Sequence, residues 1–524
     1  MLDSPAMAQT PLGVAAPERA ETVMADGVVL VSDIYRPAGD GRHPVLVIRQ
    51  PYGRAIASTV VLAHPAWYAA QGYVVVVQDA RGTGESGGDF DPFQAEISDG
   101  AETLSWARTL PGVNGRLGTY GFSYQGLTQF MALAGGARPD AMAVSMAPFD
   151  PEIDWATENG VFRAAMCTGW AVQMACDKAR RQGDTAALTA LAPERGWQAH
   201  FATLVARPDL SHLARWCSPG GAGRDPAAAL CNTPLDVPLL QVAGTADFLL
   251  RGALLADRAF RAASPDTAHL ILTPWAHIPW GQSGAAPSVD SAQVAFFDHY
   301  LKGIGPRPSG CTAHVAGADV WVEDDPAQLH ALPGHVLFLG STGLAAPTAS
   351  DGWLSETQTG AGFDVFVHDP NRPAPLIGGA AGQPPGPVDR SALDTRSDVA
   401  CFTTAPLRTA ARLFGAAHLT LALDQSGPPC PVAASLSRVS PQGAAHVLAT
   451  AVAAPGQPVI FDALSARLTR GEALRLSVSV APMPDYVLTR APVLPARQTV
   501  PTTLTLHHAP CRLYLPFAPD PVDD

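Results

Sequence analysis

The sequence predicts an α/β domain built on a mostly parallel sheet, interrupted by a helical insertion and followed by a second domain of many short strands that reads as a β-sandwich. Three observations carry this. Two short apolar runs, residues 44–48 and 73–77, flank a segment of helical periodicity at 59–72, as a βαβ unit requires. A serine between glycines, Gly121-Phe122-Ser123-Tyr124-Gln125-Gly126, stands where a further strand signal passes into a helix signal. Beyond residue 308 helix signals are scarce, and β-type runs recur between Gly/Pro turns.

The elements follow in order. Residues 23–36 are two alternating β-branched runs hinged at Asp26-Gly27, a pair that tolerates the positive φ of a hairpin turn. The helix at 59–72 places Val60, Val61, Ala63, Trp67 and Ala70 at helical spacing and stops at Gly72. A helix over 99–110 ends before Pro111-Gly112, a strand over 116–120 leads to Ser123, and a helix over 127–134 leaves it. From about 151 to 232 the chain turns Ala-rich and Trp-containing, with helical stretches at 168–188 and 197–205, and is read as the insertion. Strand signals resume at 238–243 and 269–273 with a helix at 249–262 between them, and an amphipathic helix at 291–301 closes at Gly303. The expected domain plan is therefore 1–150 and 235–308 for the two parts of the α/β domain, 151–234 for the insertion and 309–524 for the sandwich. Sandwich strands are expected at 335–339, 364–368, 399–403, 418–423, 432–439, 446–452, 473–480, 502–507 and 512–515, with the Gly/Pro-rich 372–388 as a long loop.

Composition bounds the function. The 524 residues hold 34 Lys plus Arg against 47 Asp plus Glu, a net charge of −13 that argues against a nucleic-acid partner. Hydrophobic residues at 47% exclude disorder for the bulk of the chain. The 48 glycines and 49 prolines carry no collagen-like period and predict many turns. Residues 1–21 lack a signal-peptide pattern and no run of 18 apolar residues occurs, so a soluble, cytoplasmic protein with no membrane partner is expected. Cys167, Cys176, Cys217, Cys231, Cys311, Cys401, Cys430 and Cys511 form no C-x-x-C pair and no Cys/His zinc spacing, so reduced cysteines, no metal and no cofactor are expected. A homo-oligomer is compatible with the sequence.

Small residues at a strand-to-helix turn lift a serine above a sheet, which makes Ser123 the candidate nucleophile; a turn with a capping serine is the plainer alternative. A serine hydroxyl needs a histidine base, itself oriented by a carboxylate. In α/β-hydrolases these follow in the order Ser, acid, His at the ends of later strands. Asp247 follows the strand at 238–243 through Gly244-Thr245-Ala246, and His277 follows the strand at 269–273 through Pro274-Trp275-Ala276. Taken singly they could be a helix N-cap and a loop histidine; in this order they predict a Ser123–His277–Asp247 triad. Pro51-Tyr52-Gly53-Arg54, after the first buried strand, lies where this fold draws an oxyanion donor, and the Tyr52 phenol with the Tyr124 backbone N–H are the candidate pair. The glycine-rich block 79–88 lacks both G-K-S/T and G-x-G-x-x-G and is not read as a nucleotide cradle. Glu96 and Asp99 are placed in the first turn of the following helix, where its dipole favours a carboxylate. His299, His507 and His508 are read as surface or packing residues.

MADGVVLVSDIYRP, PYGR, DARGTGESGG, NGRLGTYGFSYQG, GTADFLLRG, TPWAH and FFDHYLKG together resemble the cocaine esterase / X-prolyl dipeptidyl-peptidase family of serine hydrolases. VHDPNRPAPLIGG, RSDVACFTTAPL and GEALRLSVSVAPMPDY resemble the same family's C-terminal domain. The resemblance implies an α/β-hydrolase sheet with an inserted helical cap and a C-terminal jelly-roll β-sandwich, the active site lying where the three meet. It implies the same triad and the same oxyanion pair. Two features depart from the family: Thr245-Ala246 replaces a more aromatic stretch before the acid, predicting a pocket wider or differently lined there, and residues 424–431 lack a D-T-D-like element. Trp155, Trp170 and Phe248 are candidate pocket residues. The expected activity is hydrolysis of a small-molecule acyl ester or amide through an acyl-enzyme. An aminopeptidase or acyltransferase on the same scaffold, and an inactive scaffold carrying a ligand-binding sandwich, are the alternatives.

Overall fold

The computed structural model describes residues 12–55, 61–192, 197–222, 224–278, 288–358, 360–483, 485–491 and 500–520, with 224–227 as backbone only. Residues 1–11, where most of the stretch read for a leader falls, and the start of the expected 59–72 helix lie outside these ranges.

The first sheet starts with a hairpin of β1 (Glu18–Val23) and β2 (Val29–Tyr35), turning through Gly27 at φ +85°. β3 (His43–Gln50) and β4 (Val74–Asp79) pair in parallel and are buried almost throughout, as strands covered on both faces must be. Between them α1 (Pro65–Ala70) is shorter than the periodicity predicts, because Pro65 takes the first helical position and His64 caps it. α2 (Ala95–Ala107), β5 (Val113–Phe122), α3 (Tyr124–Ala134) and β6 (Ala141–Ser145) complete the first half.

The inserted segment opens with a π-helical turn, Pro151–Ala156, and a short hairpin of β7 (Thr157–Glu158) and β8 (Val161–Phe162). Helices α4 (Ala164–Gln182), α5 (Thr185–Leu191), α6 (Trp197–Val205), α7 (Ser211–Trp216) and α8 (Arg224–Cys231) follow. The sheet resumes with β9 (Leu239–Gly244), α9 (Leu250–Ala263), β10 (Ala268–Thr273) and α10 (Val289–Phe297). It then runs past residue 308, where the sequence places the end of this domain. β11 (Cys311–Val315) adds in parallel to β10 and β12 (Val320–Glu323) adds antiparallel to β11. The strand order is β1-β2-β4-β3-β5-β6-β9-β10-β11-β12. β11 is buried throughout, but Thr312 and His314 interrupt its apolar residues, so no continuous apolar run marks it in the sequence.

After α11 (Pro326–Leu329) come β13 (His335–Gly340), β14 (Gly352–Ser355), β15 (Phe363–His368), β16 (Ala400–Thr404), β17 (Ala411–Ser426), β18 (Val432–Val439), β19 (Ala445–Ala453), β20 (Val459–Leu468), β21 (Ala473–Val480), β22 (Thr502–Leu515) and β23 (Phe517–Ala518). They wrap one apolar core that includes Leu339, Phe402, Leu419, Leu436, Phe461, Leu476 and Leu513. All pairings are antiparallel except β14 with β16. The two strands read at 502–507 and 512–515 are one long β22. It faces β15 with its first half and β13 with its second, and bends at a register shift against β17. The 372–388 stretch packs on β19, where Thr450 donates its hydroxyl to the Gly378 carbonyl at 2.9 Å and accepts from the Ala381 amide at 2.9 Å.

Candidate active site

The glycine and serine pattern works at the junction of β5 and α3. Ser123 has φ +60° and ψ −123°, a conformation costing a non-glycine residue roughly 1–3 kcal/mol. A Cβ on Gly121 would lie 2.5 Å from Gln125 Cβ and 2.8 Å from its carbonyl, and a Cβ on Gly126 would lie 2.5 Å from Ala147 Cβ. Both glycines are therefore demanded by close packing. Gln125, where the generic motif has its second glycine, turns its side chain back to accept from the Phe122 amide at 3.1 Å. The Ser123 side chain makes no capping bond to α3, so the capping alternative is overturned.

Ser123, Asp247 and His277 come together beyond the carboxyl ends of β5, β9 and β10. His277 Nε2 is 3.0 Å from Ser123 Oγ and Nδ1 is 2.9 Å from Asp247 Oδ1. Asp247 is fully buried, and its Oδ1 also accepts from the Leu249 amide at 3.1 Å. The imidazole lies between Phe122 and Phe248, with ring centroids 4.5 and 4.6 Å away.

The Trp170 indole N–H donates to the Tyr52 phenol oxygen at 3.2 Å, and Tyr52 and Ser123 line the same cavity. Burial pushes the Tyr52 hydroxyl up, so it holds its proton. An indole only donates and a carboxylate only accepts, so Trp170 donates to Tyr52, and His277 Nδ1–H donates to Asp247, leaving Nε2 to accept from the Ser123 hydroxyl. Tyr124 occupies the first position of α3, where a helix leaves its amide without an intrahelical acceptor. Its phenol donates to Glu96 at 3.2 Å and accepts from the Phe93 amide at 3.1 Å.

Three charged clusters hold this geometry. Glu96 pairs with Arg49 at the end of β3, and both are almost completely buried. Asp99 lies a full turn into α2, beyond the first turn where the sequence places it, and binds Arg81 at 2.6 Å. The glycine-rich block is filled by a carboxylate. Asp79 accepts from the Arg54 amide at 2.7 Å, the Arg54 guanidinium at 2.6 Å and the Glu85 amide at 3.0 Å, and a Cβ on Gly84 would lie 1.9 Å from its Oδ2. Arg54 also reaches Asp33 at 2.9 Å. Block 79–88 therefore clamps the Pro51–Arg54 loop that presents Tyr52.

A cavity of about 390 Å³ opens above Ser123. Trp155, Trp170 and Phe248 line it, with Tyr52, Phe93, Phe122, Tyr124, Met166, Gln173 and Ile278 among the other wall residues. Thr245 and Ala246, expected to alter the pocket near the acid, are not among the residues that line it. Trp170 stacks on Tyr124 with centroids 5.5 Å apart, and Trp155 and Trp216 pack behind at 4.6 Å. Phe93 and Met166 escape a sequence reading because one follows a loop and the other sits in an Ala-rich helix; the aromatic Phe122 beside the serine was the one available signal. Arg163 was also missed. Buried at the start of α4, it donates to the carbonyls of Asp154 at 3.1 Å and Phe248 at 3.0 Å and pairs with Glu158 at 3.0 Å. Glu158 accepts from the Val452 amide of the sandwich at 2.9 Å.

Among the described residues no group of three or more His, Cys, Asp or Glu side chains is placed to hold a metal ion, and no helix is long and apolar enough to cross a membrane.

Residues 26–279 match the model of the X-Pro dipeptidyl-peptidase (S15 family), and residues 336–490 match the X-Pro dipeptidyl-peptidase C-terminal non-catalytic domain. The chain is similar to the cocaine esterase of Rhodococcus sp. (strain MB1 Bresler), with 28% identity over 464 residues, covering 81% of this chain and 80% of that protein. Its fold is similar to that of an α-amino acid ester hydrolase, with TM-score 0.72, 20% identity and coverage of 98% and 100%. It is also similar to that of an aminopeptidase from a Thaumarchaeota archaeon, with TM-score 0.73, 20% identity and coverage of 95% and 96%.

Proposed function

Because this chain belongs to the cocaine esterase / X-Pro dipeptidyl-peptidase family of serine hydrolases, we propose that it hydrolyses an uncharged, aromatic-sized acyl ester of a small molecule through an acyl-enzyme on Ser123. The observation that carries this reading is the hydrogen-bonded Ser123–His277–Asp247 arrangement facing the cavity, with His277 Nε2 3.0 Å from Ser123 Oγ and Nδ1 2.9 Å from Asp247 Oδ1. As Ser123 Oγ attacks the carbonyl carbon, His277 takes its proton, and Asp247 holds the ring and stabilises the imidazolium. The carbonyl oxygen gathers charge between the Tyr52 hydroxyl and the Tyr124 amide, two donors already oriented before reaction. His277 then gives the proton to the departing alcohol, and water repeats the sequence in reverse to release the acid.

The cavity favours an ester with a neutral acyl part. Its volume is near the lower end of the usual ligand range of about 300–1,000 Å³. Its described wall is mostly aromatic and aliphatic, with Gln125 and Gln173 as neutral amides, and no Asp, Glu, Lys or Arg is among those residues. An α-ammonium group would find no carboxylate partner there, and burying it unpaired is costly, which weighs against the aminopeptidase alternative.

Two measurements test the proposal. A fluorophosphonate should label Ser123 in the folded protein and leave Ser123→Ala unlabelled; full activity in that variant would overturn the assignment. A substrate panel should show aryl esters cleaved well ahead of aminoacyl-proline amides, and the opposite ranking would overturn the substrate class.

A further inference from the structure

Glycine is a poor helix former, so one inside a helix calls for a packing reason. Gly100 in α2, Gly126 in α3 and Gly252 in α9 have such reasons, because an added Cβ would lie 2.7, 2.5 and 2.7 Å from Ala132 Cβ, Ala147 Cβ and the Ala147 carbonyl. Gly169, in the interior of the 19-residue α4, has none. Among the described residues, its two chain neighbours and the adjacent backbone of its own helix aside, no atom lies within 4 Å of where its Cβ would be, and its backbone is not in the left-handed region.

Its place on α4 explains it. Met166, Trp170 and Gln173 line the cavity above Ser123. At 100° per residue Gly169 shares their face, three residues after Met166 and four before Gln173. Gly169 and Gln173 are both exposed whereas Met166 and Trp170 are half-buried, so this end of the face is the rim. A side chain on an α-helix leans toward the N-terminus, so any residue larger than glycine here would extend along the rim.

The chemistry supplies a use for that space, given the reading of Ser123 as nucleophile. Acylation forms the bond from Ser123 Oγ to the acyl carbon and breaks the ester C–O bond, with the serine proton passing through His277 to the alcohol oxygen. The alcohol must then leave while the acyl group stays attached and fills the aromatic interior, so the alcohol side of the ester faces the open rim. We propose that Gly169 is a specificity-determining residue that keeps the rim clear for the leaving alcohol and sets how bulky that alcohol can be.

The test compares Gly169→Ala and Gly169→Leu with the wild type on two esters of one aromatic acid, a methyl ester and a naphthyl ester. A folded check is given by fluorophosphonate labelling of Ser123 and by Tm, which should rise in the alanine variant. In the leucine variant kcat/KM for the naphthyl ester should fall by ~tenfold or more, while the methyl ester stays within about twofold. The alanine variant should show a smaller loss with the same ranking. Equal losses on both esters, or none on either, with Ser123 still labelled, would overturn the role of Gly169 alone. A wild type that neither labels nor cleaves either ester would overturn the nucleophile assignment and this inference with it.

Discussion

The indole N–H of Trp170 donates to the phenol oxygen of Tyr52 at 3.2 Å, joining the inserted helices to the loop after β3. Since the indole can only donate, it occupies the phenol oxygen as an acceptor and leaves the phenol proton for another acceptor. Trp170→Phe keeps the ring and removes the donor, and kcat on an activated ester is expected to fall roughly tenfold with KM little changed. Tyr52→Phe removes the proposed oxyanion donor itself and is expected to cost roughly 10²–10³ in kcat. Steady-state kinetics on both variants checks the ranking, and wild-type kcat in Tyr52→Phe would contradict the donor role.

Arg54 is the cation against which the buried Asp79 carboxylate is set, at 2.6 Å. Arg54→Met leaves that carboxylate without its guanidinium and is expected to lose about 3–5 kcal/mol of stability. Arg54→Met combined with Asp79→Asn should recover part of the loss, because a neutral amide costs less to bury. Denaturant melts of the single and double variants measure the difference.

Asp154 is fully buried, and its Oδ2 accepts from the amides of Phe149 at 2.9 Å and Asp150 at 2.7 Å. Burial pushes its carboxyl up to about 8, against those two amides, which favour the anion. The folded protein therefore keeps a proton that the unfolded chain releases near its ordinary pKa of about 3.9, and the folded state binds more protons between those values. The stability Asp154 contributes is fully present below the lower value and is lost as pH rises toward 8. Tm of the wild type should thus fall more steeply from pH 5 to pH 8 than Tm of Asp154→Asn, which cannot titrate. Parallel slopes would contradict it.

Arg163 bonds the carbonyl of Phe248, whose ring covers His277, and through Glu158 it ties the inserted segment to the sandwich. It is a positioning residue. Arg163→Lys should rescue little of the loss in Arg163→Met, since an ammonium lacks the planar fork that reaches two carbonyls and a carboxylate together. Fluorophosphonate labelling rates should fall in both variants, with Tm lower by several degrees. A lysine variant indistinguishable from wild type would remove the geometric argument.

The parts of this site legible in the sequence were those encoded locally. Ser123 stands out because Gly121 and Gly126 bracket it, and Asp247 and His277 because each follows a short apolar strand by a few turn residues. Strand period, turn chemistry and order along the chain are enough to place such residues on one edge of a sheet. Block 79–88 shows where local reading stops. Its glycines announce a tight cradle, but that Asp79 fills it and Arg54 holds it depends on residues 25 positions apart meeting in space.

The sequence by itself determined the two-domain architecture, most of the buried strands, and the order of serine, acid and base, because burial periodicity and turn-forming residues act over a few positions. Tertiary structure alone decided that the sheet continues through β11 and β12 and that Phe93 and Met166 join Trp155, Trp170 and Phe248 in the cavity wall. It also decided that the Trp170 indole reaches across from the insertion to the Tyr52 phenol. The physical reason is the same in each case. A pattern of apolar residues states that a face is buried, whereas what it is buried against is settled only when segments distant in sequence pack together.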